Sequence, residues 1–296
     1  LELKKLAITF RHSPVMSIKY VRPLASELTE DSVANYNDKD LADNLELVFS
    51  AGFGKSDISY GYDEDWTFVG FDPWEYSSKD LYERQVGSLS YQLRLMSKES
   101  KNSNDSSFGW IAGVYGYHHD LDLVRRYTYL VDPFSSSYEV DRFAVYGELS
   151  KKLSGDWVIR MGLRGENLGM GYLDSTALQY DPDDFLVGGR ALVERTMRPG
   201  QLVYLGIHRG YKSGGFNTDG SIDEDLRLFG PEGLWNFELG YKGLYLDEYI
   251  QMRATIFHMK RSDIQISTSI TRERNDGSSE FIEYTGNAAA GFPPSR

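Results

Sequence analysis

The chain has 296 residues, a formal net charge of −12, 14% aromatic residues and no cysteine. This acidity argues against nucleic acid, because nothing would replace phosphate counterions, and the lack of cysteine excludes a disulfide framework, a thiolate metal site and a cysteine nucleophile. No apolar run is long enough for a spanning helix, whereas a spanning strand alternates apolar with polar residues and leaves no such run.

Along the chain, the first stretch with a clear character is SELTEDSVANYNDKDLADN (26–44), which reads as an acidic loop or insertion. Strand signals follow. In SLSYQLRLMSK, Leu89, Tyr91, Leu93 and Leu95 alternate with Ser88, Ser90, Gln92 and Arg94. In DWVIRMGLRGEN, Trp157, Ile159, Met161 and Leu163 alternate with Val158, Arg160, Gly162 and Arg164. In LVYLGIHRGYK, Val203, Leu205 and Ile207 form the apolar series, which Arg209 and Tyr211 continue; Gly206, His208, Gly210 and Lys212 form the opposite one. LWNFELGYKGLY and YIQMRATIF repeat the pattern through Trp235, Phe237 and Leu239 and through Ile250, Met252 and Ile256. Period-two alternation is the signature of a strand with two unlike faces, and about 9–11 tilted residues suffice to cross a bilayer.

Connections are of two kinds. Those at 153–157, 198–201 and 246–249 are tight, while roughly 63–81, 120–138, 167–183, 213–233 and 271–279 read as long and polar. Alternating short and long connections is the asymmetry of outer-membrane barrels. Glycines 162, 206, 210 and 240 fall on the polar face, where side chains would crowd a lumen. Trp157, Tyr204, Tyr211, Trp235, Tyr245 and Tyr249 stand near strand ends, as interfacial girdles require. The expected fold is all-β, a transmembrane antiparallel β-barrel with about eleven to thirteen strands in this chain. A soluble β-sandwich or propeller that binds carbohydrate is the alternative on pattern alone, as is a passive porin.

Four segments, SLSYQLRLMS with FGWIAGVYGY, RFAVYGELSKKLSGDWVIRMGLRGE, LVYLGIHRGYKSGGFN, and GPEGLWNFELGYKG with IFHMKRSDIQI and YTGNAAAG, occur in order over about 200 residues. In order, spacing and strand phase they resemble the barrel of TonB-dependent outer-membrane receptors of the siderophore and iron-complex type. The resemblance implies a barrel of about 22 strands with a plugged lumen. Residues 1–296 would supply roughly half of it, with the plug domain and the C-terminal strands lying outside this chain. It implies a bacterial outer-membrane location, TonB as a partner through the plug, lipid around the wall, and uptake of a scarce small ligand such as a ferric siderophore. No enzyme activity and no cofactor are expected.

The candidate ligand contacts of the outer vestibule are Lys212, Asn217, Arg125 and Arg126. Arg94, Arg160, Arg164, Glu166, His208, Glu238, Lys242 and Arg253 are expected to face the lumen, where the family's charges meet the plug or each other. GYKSGGFN is not a phosphate loop, since no helix follows to present its N–H groups. His118 and His119, beside Asp120 and Asp122, make a poor chelating pair because adjacent strand residues point to opposite faces. The acids of YDEDW (Asp63, Glu64, Asp65) and YDPDDF (Asp181, Asp183, Asp184) lack calcium-loop spacing. No metal site is therefore expected.

Overall fold

The computed structural model describes residues 23–42, 44–63, 78–98, 108–153, 155–218, 220, 222–246, 249–273, 277 and 279–288, and for 23–42 and 63 the backbone alone. Among the described residues, ten long strands run antiparallel in chain order through one curved sheet. They are β1 (Pro23–Ala42), β2 (Leu45–Asp63), β3 (Lys79–Ser97), β4 (Phe108–Tyr127), β5 (Phe134–Lys152), β6 (Trp157–Asp174), β8 (Asp183–Arg198), β9 (Gln201–Lys212), β12 (Glu232–Tyr245) and β13 (Ile250–Ser262). The short β7 (Gln179–Tyr180) folds back on β6. Two small two-stranded sheets, β10 (Gly215–Phe216) with β11 (Leu228–Phe229) and β14 (Gln265–Glu273) with β15 (Ser279–Asn287), stand apart from it. Among the described residues the one helix is α1 (Glu224–Arg227), and none is long and apolar enough to cross a membrane.

Register explains the two faces. Leu163 stands opposite Gly147 and Gly189, Leu205 opposite Val193 and Leu239, and Leu93 opposite Phe49 and Val114. One face therefore collects Phe49, Phe53, Leu89, Leu93, Phe143, Val145, Leu149, Met161, Leu163, Leu205, Ile207, Phe237 and Leu239, all of them exposed. A continuous apolar band of this size needs a nonaqueous neighbour. The open sheet with that band is a partial transmembrane barrel; among the described residues no second sheet covers it as a sandwich would require. The apolar series Leu89–Leu95, Trp157–Leu163, Val203–Ile207 and Trp235–Leu239 fall on the lipid side as their alternation indicates.

Three expectations change. The acidic stretch 26–44 is mostly the strand β1, paired with β2 residue by residue from Ser26 to Asp40. The long connections at 120–138 and 167–183 shrink, because β4 runs on to Tyr127 and β6 to Asp174. Strands of 18–20 residues exceed what a bilayer needs, so the sheet stands about 20 Å proud of the lipid on the side of the long connections. Up there the outward face is wet and the apolar series crosses to the lumenal side, at Leu121 and Leu123 in β4 and at Leu168, Met170 and Tyr172 in β6, so the outward apolar signal ends and the sequence imitates a loop. The connection 64–77, with Glu64 and Asp65, lies outside the described residues.

The third change concerns two tyrosines. Tyr204 points into the lumen and lies over Gly240, where a Cβ would come within 2.2 Å of its ring. Tyr211 should by alternation face lipid, yet its hydroxyl binds Arg164 and Glu166 inside. The β8–β9 ladder stops at Gly189 and Arg209, so the end of β9 is free to turn. Gly188 leaves room for the Tyr211 ring, 3.0 Å from where its Cβ would be. Arg209 does stay outside, its guanidinium 5.3 Å from the Trp235 ring centre. The tight turns need their glycines: Gly155 and Gly200 have φ of 75° and 76°, a region other residues rarely enter.

Candidate functional site

Most of the buried apolar residues gather at the outer ends of the strands on the lumenal side. Val140, Leu168, Met170 and Leu186 form one cluster, and Tyr82, Leu123 and Phe134 another. These clusters stiffen the mouth. Between the second cluster and the loop segments around 216–222 and 280–283 lies a cavity of about 440 Å³.

One wall of the cavity is a tier of tyrosines from β2 and β3. Tyr60 and Tyr82 stack with centroids 5.0 Å apart and planes 4° from parallel; Tyr62 stacks on Tyr82 at 6.4 Å. Period two places all three on the lumenal face of adjacent strands. Beneath them Asp80, 1% exposed, takes a bidentate pair from Arg125, Nε to Oδ1 at 2.9 Å and Nη2 to Oδ2 at 2.7 Å. Tyr62 and Tyr82 also donate to Asp80 Oδ2 at 3.2 and 3.1 Å. Burial, with the Asp80 charge second, pushes the Tyr62 hydroxyl up to about 12, so it stays a proton donor. Arg125 further lies 5.1 Å from the Tyr82 and 4.7 Å from the Tyr127 ring centre.

Arg84 is different. Its guanidinium sits 5.3 Å from the Tyr60 and 5.7 Å from the Tyr82 ring centre, facing the cavity. It has no carboxylate partner among the described residues, and its buried Nε has no hydrogen-bond partner. Asp80 thus neutralises Arg125, and among the described lining residues Arg84 is the cation without a carboxylate partner, in a cavity that Glu280 and Glu283 also line. Neither Arg84 nor the tyrosine tier stands out in the sequence. Only cross-strand register, Tyr60 to Tyr82 and Ile58 to Arg84, brings them together.

Of the four expected vestibule residues, Arg125 and Asn217 border this cavity. The Asn217 side chain also acts as a clip: Nδ2 donates to Leu226 O and Thr285 O at 2.9 and 2.8 Å, and Oδ1 accepts from Thr285 N. Arg126 stands on the opposite face, paired with Glu83. Lys212 is exposed at the end of β9, across the ladder from Glu232.

The described residues of 213–231 are pinned over the mouth. Arg227, buried, donates to Asp174 Oδ2 at 2.7 Å, to Tyr172 Oη at 3.2 Å and to the carbonyl of Ile222 at 2.9 Å. Phe216 stacks on Tyr172 with centroids 4.0 Å apart. Burial alone would raise the Asp174 carboxyl, but bonds from Thr176, Arg227 and Tyr172 outweigh it and hold the group below its usual value. A depressed folded pKa gives stability that is present above the unfolded pKa and lost as pH falls through the folded one. The segment is therefore expected to lose amide-exchange protection below about pH 4. Equal protection of 215–229 at about pH 6 and about pH 3, after correction for intrinsic rates, would contradict this.

Some of the lumen charges pair with one another. Arg164 donates to Glu166 at 3.0 and 2.6 Å, and Arg142 approaches the same carboxylate at 4.0 Å. Arg160 pairs with Glu194, and Arg190, which the pattern did not single out, pairs with Glu148. Asn236 donates to Glu238 at 2.6 Å, and Lys242 lies 5.4 Å from the Tyr204 ring centre. Arg253 stands opposite Lys242 on exposed β13. Arg94 Nε, His208 Nε2 and Asn236 Oδ1 are buried without a hydrogen-bond partner.

A family model described as the β-barrel of TonB-dependent-receptor-like proteins matches residues 16–291. The ferric yersiniabactin uptake receptor FyuA of Yersinia pestis superposes with a TM-score of 0.64 at 17% identity, over 83% of this chain and 40% of that one. The ferric-catecholate import receptor Fiu of K12 E. coli gives 0.63 at 14%, over 88% and 43%. The siderophore receptor PiuA of Acinetobacter baumannii gives 0.59 at 16%, over 88% and 42%. The chain thus spans about two fifths of the length of these solved structures.

Proposed function

Because this chain belongs to the TonB-dependent receptor-like β-barrel family, we propose that it supplies part of the wall and outer mouth of a bacterial outer-membrane importer. The plug domain and the remaining strands of the barrel come from outside residues 1–296. The imported ligand is a small ferric complex of the siderophore class, caught at the mouth and passed inward when TonB remodels the plug. What supports capture here is one observation: Arg84, stacked on Tyr60 and Tyr82, faces the cavity without a carboxylate partner among the described residues. An aromatic tier with a free guanidinium suits an anionic or aromatic chelate, through charge-assisted hydrogen bonds and stacking. The paired lumen charges, Arg164–Glu166 and Arg160–Glu194, lie along the path that a moving plug would disturb.

The test is ligand binding to the full-length protein in detergent. Ferric complexes of catecholate, hydroxamate and hydroxycarboxylate chelators serve as probes, read by intrinsic fluorescence. Arg84→Ala is expected to weaken the complex that binds by about tenfold or more, the worth of a charge-assisted hydrogen bond, and Arg84→Lys to recover part of it. Binding unchanged in Arg84→Ala, or no binding by any of the three classes, would contradict this assignment. Uptake of the bound complex is expected to stop in cells that lack TonB.

A further inference from the structure

On the outward face, at the upper border of the apolar band, β4 and β5 place four ligand-type side chains in a cross-strand square. His118 stands opposite Asp141, and Asp120 opposite Glu139. His118 Nδ1 lies 2.9 Å from Asp141 Oδ1 and 3.6 Å from Glu139 Oε1, and one ligand atom from each of the three lies within 4.8 Å of the others. Donor atoms around a tetrahedral zinc stand about 3.3 Å apart, given bonds of about 2.0–2.1 Å, so the two distances bracket the required spacing. Asp120 lies on the other side of the ring, 3.8 Å from Nε2. Without a metal, Nδ1 donates to Asp141 Oδ1; a cation at Nδ1 would displace that proton, and Asp120 would then be the nearby acceptor for Nε2–H, as an outer carboxylate is for a metal-bound histidine. The adjacent His119 is no part of this; it faces the lumen and stacks on Tyr117.

Two further features bear on what the square meets. A cleft of about 370 Å³ continues from it, walled by Tyr91 and Phe143 and roomy where Gly169 has nothing within 4 Å of a would-be Cβ. The square also lies level with lipid head groups, since Leu89 stands across the ladder from His118 and Phe143 two residues below Asp141. Three carboxylates against one histidine would repel head-group phosphates there unless a cation intervened. We propose a divalent-cation site of the zinc class held by His118, Glu139 and Asp141, whose open position takes a phosphate oxygen of an outer-leaflet lipid lying in the cleft. A mixed nitrogen and carboxylate set suits zinc better than calcium. The site rests on the placement of the wall in the membrane and is independent of the ligand imported.

Calorimetric titration of the full-length protein with Zn²⁺ in a phosphate-free maltoside detergent tests it. One saturable zinc per protein is expected at this site. It should weaken by about tenfold or more in His118→Ala and in Asp141→Asn and persist in His119→Ala. All three residues are outside the apolar core, so the variants should retain the fold. Added phosphatidic acid should tighten zinc binding in the wild type and not in Asp141→Asn. No saturable uptake, or uptake indifferent to both His118→Ala and Asp141→Asn, would overturn the site. Zinc binding that phosphatidic acid does not tighten would overturn the lipid bridge.

Discussion

Leu163→Arg in the full-length protein is expected to reduce assembly into the outer membrane severely. Leu163 is 67% exposed, and its neighbours across the ladders are Gly147 and Gly189, so nothing shields it. Met161 precedes it on the same face, and in water such exposure would be a liability. In lipid it is the stable arrangement, and a guanidinium at mid-bilayer there costs about 2–4 kcal/mol. The readout is the amount of heat-modifiable, folded protein in the outer-membrane fraction. Leu163→Phe serves as the control that keeps the surface apolar. A wild-type level of folded Leu163→Arg would mean that this face does not meet lipid.

Asp80→Asn is expected to be the most damaging single change at the mouth. Asp80 is almost fully buried and receives Arg125 in two bonds and two tyrosine hydroxyls. Removing one partner of a buried ion pair strands the other charge, at a cost of about 3–5 kcal/mol. Replacing both partners by apolar residues of similar volume is often neutral. The double variant Asp80→Leu, Arg125→Met should therefore recover much of the loss. Thermal unfolding of the purified full-length protein, with proteolysis of the outer mouth as a second measure, would show both effects. Asp80→Asn that melts like the wild type would contradict the role given to this pair.

These two sites also show what the sequence made legible. Leu163 was readable, because a half-lipid, half-lumen strand must alternate, and Ile159, Met161 and Leu163 alternate with Arg160, Gly162 and Arg164. Asp80 was not, since its partner Arg125 is 45 residues away and only the β3–β4 register joins them. The same holds for Arg84 with Tyr60. Above the lipid, the period-two pattern changes face for a physical reason: the outward side of β4 is hydrated at Asp120 and Asp122 while Leu121 and Leu123 turn to the packed lumenal side, so the outward apolar series is lost. That loss of signal made 120–138 look like a loop and obscured the square around His118. Tyr211 was misplaced because alternation assumes an intact ladder, and its ladder to β8 ends two residues earlier.

The most direct measurement uses the absence of cysteine from this chain. Val131, 99% exposed in the connection between β4 and β5, and Asp156, in the tight turn between β5 and β6, are replaced singly by cysteine in the full-length protein. Intact cells are then treated with a membrane-impermeant maleimide. A wall that crosses the outer membrane with its long connections outside should label at Val131→Cys in intact cells and at Asp156→Cys only after the outer membrane is opened. Labelling of both positions in intact cells, or of Asp156→Cys alone, would contradict the placement of this chain as the wall and outer mouth of an importer.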